Sequence, residues 1–536
     1  MQNKGLCTLL LLLFLGVSVA NAQQKSVSGK VINSDNTPLS NVSVVIKGTK
    51  TATTTDNNGS FSISVASNQS LSFSLVGYDT KDIRVGNSTT INVKLSAVDN
   101  TLEDVVVTAM DIRRNKKELG YSAQSVKGQE LAETQRNNIV NSLQGRIAGL
   151  TINPTSGLAG ASSQIVLRGF NSLALDNSPL FVVDGIIIDN QSVQENNRNT
   201  GYAVKPSAAN VSTENRSNDY TNRIADINPN DVESVTVLKG PEATALYGSQ
   251  ASSGAIVITT KKGTSVDGKM KVSYDNSFRT SVYTRYPKVM TDYDAGQNGS
   301  PSDVFTYFGL KYTPDVPKYG NLRAFFQPSS SITHNISVEQ GTAKNSVRLS
   351  GSFLDENSPV PNNNYKKYNL RVVTNHKIGK TLEISPSISV IKSGNDKPLR
   401  GVGGYLLSLL VWPEDDNAKN YITADGLKKP LFASNPNGEL DNPYFNVNKN
   451  RSRDELTRSI ATLAINYNPT KWLSISGRMG YDTYAQDGYT KWDSSSYFLS
   501  RAQKGAQENY YRRYYGYNHT VTATAKKSFG KINTRL

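Results

Sequence analysis

The chain predicts a mainly β protein: an exported precursor with a small N-terminal β-sandwich, a mixed α/β domain and then an antiparallel β-barrel of the transmembrane kind. Three observations carry this. Long segments after Gly263 alternate apolar and polar residues with a period of two. In the clearest, Thr381–Val390, residues Leu382, Ile384, Ile388 and Val390 face one way and Ser385, Ser387 and Ser389 the other. Short turns also alternate with long connections through the same region, and no apolar run is long enough for a membrane helix.

Residues 1–22 read as an export signal: Lys4 is the positive start, Leu6–Val19 the apolar stretch, and Ala20-Asn21-Ala22 the cleavage site. Cys7, the sole cysteine, lies inside that signal, so the mature chain forms no disulfide and holds no metal through thiolates. Hydrophobic residues make up 37% of the 536 and mean hydropathy is −0.45, which excludes a helical membrane protein but not a barrel. The net charge of +15 is spread along the chain rather than gathered in a basic stripe, which argues against a nucleic-acid partner.

Residues 23–96 form the sandwich. Val27–Val31 alternates, Val42–Lys47 follows a turn, and Phe61-Ser62-Ile63-Ser64-Val65 alternates after Thr55–Gly59; Leu71–Leu75 and Ile91–Leu95 bring the count to roughly seven short strands. Residues 97–115 are a linker with Glu103-Asp104-Val105-Val106-Val107-Thr108 at its centre. Three valines in polar surroundings favour an extended strand, able either to add itself to another protein's sheet edge or to close one of the flanking domains.

Residues 116–264 are the mixed domain. Gln129–Asn141 predicts a helix, Pro179–Val183 a strand, and Asp184-Gly185 a turn into Ile186–Ile188. Two further strands, Ser234–Lys239 and Ala255–Thr260, enclose a small-residue segment containing Gly240, Tyr247, Gly248 and Gly254. The Asn-rich stretch 190–222 has no periodicity and reads as a functional or disordered loop, with Tyr202 and Tyr220 as candidate ligand contacts.

The wording of Ile227–Gly263, together with Ile165–Ser172 (containing Arg168 and Gly169) and Pro179–Gly185, resembles the plug domain of TonB-dependent outer-membrane transporters, most closely the SusC-like family of the Bacteroidetes. Residues 23–96 resemble the carboxypeptidase-regulatory-like domain, a module without catalytic residues. The resemblance implies that 103–108 is a TonB box and that 116–264 plugs a barrel begun by 265–536. It also implies a surface lipoprotein of the SusD type as partner, an oligosaccharide or peptide as ligand, outer-membrane lipid around the barrel, and the sandwich in the periplasm. No cofactor is expected. Asp184-Gly185 reads as a turn before it reads as a cation site, and Arg168 as buried between plug and barrel against barrel carboxylates.

After Gly263 the pattern holds about eight strands and the start of a ninth. Short turns are expected at Gly341–Lys344, Gly379-Lys380, Asn468–Thr470 and Phe529–Lys531, and long connections at Tyr283–Ser330, Leu354–Tyr365, Gly394–Glu455 and Asp487–Glu508. Plugged barrels close with about 22 strands, so the expectation is an N-terminal part of a longer parent that does not transport alone. An adhesive or passive barrel without energy coupling is the alternative. Catalysis is not expected: His334, His376 and His519 lack metal-protease spacing, and no nucleophile elbow occurs.

Overall fold

Serine and valine alternation builds the first unit. In the computed structural model, residues 24–33, 36–49, 51–66, 69–86, 88–96, 105–107, 113–115, 123–170, 177–190, 219, 221–264, 268–401, 404–432, 440–497, 505–529 and 532–535 are described. They divide into two units, Met1–Val105 and Val106–Leu536. The first has seven strands: β1 (Gln24–Ile32), β2 (Ser43–Ile46), β3 (Ala52–Thr54), β4 (Ser60–Ala66), β5 (Ser70–Ser74), β6 (Lys81–Arg84) and β7 (Val93–Lys94). They form two sheets, ordered β4-β1-β7 and β3-β2-β5-β6. Phe61, Ile63 and Val65 are buried while Ser60, Ser62 and Ser64 are exposed. Phe61 meets Phe73 of β5 edge to face at 5.2 Å, joining the inner faces of both sheets.

The valine-rich linker strand β8 (Val105–Val107) pairs with β9 (Arg113–Asn115). The plug follows as a five-stranded sheet in the order β10-β15-β16-β13-β14, made of Ala123–Lys127, Val232–Leu238, Ala255–Thr260, Leu180–Val183 and Ile186–Ile188. A separate hairpin joins β11 (Leu150–Pro154) to β12 (Ser163–Leu167). Strands β13 and β16 run parallel, and both are buried nearly end to end, as strands covered on two faces must be. Gly254 stands at φ +90°, and a Cβ there would lie 2.4 Å from Leu167 Cδ2 and 2.9 Å from Leu238 O. Gly254→Ala is therefore expected to destabilise the plug by about 2–4 kcal/mol, from the left-handed backbone and overpacking together; a denaturant titration of the plug measures it.

The expected helix over Gln129–Asn141 is shorter than its sequence suggests. It covers Gly128–Ala132, and a 3-10 turn resumes at Ile139–Leu143. Gln135 at φ +52° breaks the run, and the Asn138 side chain accepts from Val140 N to begin a new turn.

Beyond the plug come β17 (Met270–Ser281), the two-residue loop strands β18 (Gly296–Gln297) and β19 (Ser300–Pro301), then β20 (Ser329–Gly341), β21 (Asn345–Asn357), β22 (Asn364–Ile378), β23 (Leu382–Pro398), β24 (Arg451–Tyr467), β25 (Leu473–Trp492), β26 (Ala506–Phe529) and β27 (Ile532–Arg535). Apart from β18 and β19 these make one nine-stranded antiparallel sheet in chain order, eight long strands and a short ninth. The short turns at 341–344, 379–380 and 468–470 fall where expected, and the one at 529–531 includes residues outside those described. Of the long connections, 354–365 shrinks to 358–363, because Asn364 Nδ2 ties itself to Asp355 and Asn357 and so extends both strands.

This sheet has the reverse polarity of a soluble sandwich. Its outer face exposes Val347, Leu349, Leu370, Ile388, Val390 and Met479. Its inner face buries Glu339, Arg348, Arg371, Asn395, Arg458 and Asp482 against the plug. On β23 the apolar row runs from Leu382 to Val390 before Lys392, and about 9–11 residues of tilted strand cross a bilayer core. Tyr467 and Trp472 are exposed beside the short turn at 468–470. The tyrosine cluster splits by parity: Tyr511, Tyr515 and Tyr517 face out, and Tyr514 faces in to stack on Tyr484.

Candidate functional site

Charged side chains on the inner face of the sheet must find partners, since a buried unpaired charge is costly. Some pair within the wall, as buried Lys397 and Asp454 do, and others reach the plug. Arg458 of β24 is fully buried and spends its planar fork completely. Nε and Nη2 donate to the two oxygens of Asp482 at 2.9 and 2.7 Å, and Nη1 donates to Asp226 Oδ2 at 2.9 Å and to the Arg223 carbonyl at 2.7 Å. Asp226 and Arg223 belong to the plug turn Arg223–Asp226.

The same arrangement recurs along the seam. Arg371 of β22 lies 3.3 Å from Asp184 and donates to Thr260 Oγ1 at 2.5 Å and the Lys261 carbonyl at 3.0 Å. Arg348 of β21 bridges Asp231, at 3.3 Å, and Glu339 of β20. Arg400 pairs with Asp219 at 2.9 Å, and Arg512 approaches Asp189 at 3.6 Å, where Tyr484 also donates a 2.6 Å hydrogen bond. Five ion pairs thus cross the seam in one sense, with carboxylates on the plug and guanidinium groups on the wall or its loops. Apolar contacts register the two parts as well: Ala159 of the plug clusters with Leu354 and Tyr365 of the wall. Ile186 fits into the wall at Gly480, where a Cβ would lie 2.4 Å from its side chain.

The residues expected from sequence distribute unevenly over this seam. Asp184 (φ +50°) and Gly185 make the β13–β14 turn, and Asp184 joins the seam through Thr260 and Arg371. Arg168 does not join it. At φ +61° on the residue after β12 it turns outward, is exposed, and donates to the Lys239 carbonyl at 3.0 Å beside Gly240, instead of being buried against a barrel carboxylate. Gly169, Gly240, Tyr247, Gly248 and Gly254 shape the same end of the plug, away from the five ion pairs. Tyr202, Tyr220, Glu103, Asp104 and Thr108 lie outside the described residues. Val105–Val107 is extended as expected, with Arg113–Asn115 as a local partner that the sequence did not suggest.

Sequence reasoning missed Asp226, Asp231, Arg348, Arg371, Arg458 and Asp482. Parity was the available signal: Arg458 shares its face of β24 with buried Leu456 and Ile460, so a charge in that row had to meet an opposite one. Among the described residues no group of three or more His, Cys, Asp or Glu could hold a metal ion.

A sheet with apolar exterior and ionic interior, wrapped against an α/β domain, defines a plugged β-barrel of the outer-membrane type. Comparison with known proteins is more specific. Residues 115–255 match the TonB-dependent receptor plug domain and residues 27–107 the CarboxypepD_reg-like domain. A TonB-dependent receptor of Formosa agariphila is 26% identical over 529 residues, covering 95% of this chain and 49% of the relative. The TonB-dependent receptor SusC of Bacteroides thetaiotaomicron is 29% identical over 484 residues, covering 83% of this chain and 44% of SusC. The RagAB peptide importer in its open-open state superposes with a TM-score of 0.60 at 21% identity, over 80% of this chain and 47% of that one, and so shares the fold. The chain is thus similar to SusC and other TonB-dependent receptors, carries a match to their plug domain, and spans about half the length of the curated relatives it matches.

Proposed function

We propose that the chain works in TonB-dependent import of a large polar nutrient, an oligosaccharide or a peptide, across the outer membrane. The ligand docks on the long loops and the outward face of the plug, beneath a SusD-like lipoprotein lid. TonB pairs with Glu103–Thr108 and pulls, and the plug yields. The observation that carries this reading is the seam itself: a domain held inside a lipid-facing wall by ion pairs and hydrogen bonds, which water can replace, rather than by a continuous apolar core. The similarity to SusC, and to a fold whose solved examples include a peptide importer, supports the same reading without choosing the ligand.

Deleting Glu103–Thr108 in the outer-membrane receptor is expected to abolish uptake while leaving insertion and heat-modifiability intact. Uptake of labelled glycan or peptide at the parental rate would refute coupling through this segment.

A further inference from the structure

On β22 the side chains alternate: Lys366, Tyr368 and Leu370 face outward, and Lys367, Asn369 and Arg371 face the plug. The outer two of the inward row reach the plug directly. Lys367 donates to the Ala225 carbonyl at 2.5 Å, and Arg371 holds Thr260, Asp184 and the Lys261 carbonyl. Asn369, between them, is shorter. Its Oδ1 and Nδ2 are both buried, and neither has a hydrogen-bond partner among the described residues. The same holds for Oδ1 of Asp226, whose other oxygen accepts from Arg458.

Asn369 and Asp226 line one cavity of about 40 Å³ between plug and wall. Asp184 and Thr260 join Asp226 on the plug side, and Ser387 and Ser389 join Asn369 on the wall side. The wall here consists of β22, β23 and β24, each paired with a neighbour on both sides. We propose that this cavity binds ordered water, which joins Asn369 of the wall to Asp226 of the plug, and that Asn369 is a positioning residue acting through that water. Buried polar atoms without partners are costly, and here three of them border one space. A cavity needs about 10–15 Å³ to hold a water, so the space takes two or three and falls far below the roughly 300 Å³ of a small-molecule pocket.

Water suits the site better than a metal ion. A cation would satisfy the two oxygens, but it would leave the Asn369 amide hydrogens unpaired and would stand beside the Arg371 guanidinium. Water both donates and accepts, so it can serve all three atoms. The cavity borders the Arg371–Asp184 pair and the Asp226 end of the Arg458 cluster, so one wet joint touches two of the ionic contacts that hold the plug. The bridge needs only the plug–wall geometry and holds whether or not the chain imports anything.

Crystals of the full-length receptor, diffracting well enough to show water, are expected to place it about 2.7–3.2 Å from Asn369 Oδ1 and Nδ2 and from Asp226 Oδ1. A dry cavity, an Asn369 side chain bonded directly to the plug, or an ion ringed by oxygens at about 2.3–2.6 Å overturns the proposal.

A second measurement reads the bridge through the plug. Asn369→Leu exchanges the amide for methyl groups with little change of shape, and so strips the water of its wall partner. Proteolysis of the plug at a fixed urea concentration is expected to quicken at least about fivefold, as suits a buried acceptor left unsatisfied. Asn369→Ser keeps a donor and an acceptor and leaves room for one more water, so it should stay within about twofold of the parent. Heat-modifiability of the barrel reports that each variant is folded and inserted. Digestion of Asn369→Leu at the parental rate, or of Asn369→Ser as fast as Asn369→Leu, sinks the bridge. None of these readouts involves uptake, so loss of the import reading would leave them intact.

Discussion

Replacing Arg458 by methionine should loosen the plug by about 3–5 kcal/mol, the usual penalty for removing one partner of a buried ionic cluster. Among the described residues Arg458 alone pairs with both Asp226 and Asp482, although Arg223 lies 3.7 Å from Asp226. Without it Asp482 and Asp226 share a water-poor space with too little positive charge. The loss would be read as a lower urea midpoint for proteolysis of the plug, with the barrel still folded. Arg458→Met combined with Asp226→Asn and Asp482→Asn should regain most of it, because the uncompensated charges are gone. A midpoint unchanged in Arg458→Met would show that the cluster does not hold the plug.

Ile388→Arg probes the outer face. The side chain is 47% exposed, and in a water-soluble sheet such a change would shift stability by no more than about 0.5 kcal/mol. Facing the middle of a bilayer, it should cost about 2–4 kcal/mol. Reversible folding into lipid vesicles, followed in guanidinium chloride, separates the two. Equal stability of parent and variant in vesicles would remove the lipid-facing assignment, and with it the reason to read the sheet as a membrane wall.

Much of the barrel was legible because its signal is local. A period of two needs only the strand itself, so Leu382–Val390 against Ser385–Ser389 showed which face was which, and Gly341–Lys344 or Asn468–Thr470 marked the turns. The plug strands were legible for the same reason, their Val and Ile runs bounded by Gly and Asp-Gly. What failed depended on partners far away in sequence. Arg458 and Asp226 are separated by 232 positions, and nothing near either names the other. Arg168 fails differently: the expectation buries it between plug and barrel against carboxylates, but its backbone is left-handed and its side chain is exposed. The helix at 129–141 failed at one residue, Gln135, whose positive φ no propensity scale anticipates.

The one-way sign of the seam bears on how such receptors exchange parts. A stopper that offers acids to a cylinder that offers bases can be transplanted into another cylinder wherever the guanidinium groups recur at matching heights, whatever the loops above have come to recognise. Asp184, Asp189, Asp219, Asp226 and Asp231 are then the address to preserve in a chimera, together with Ile186 and Ala159, which pack on the wall.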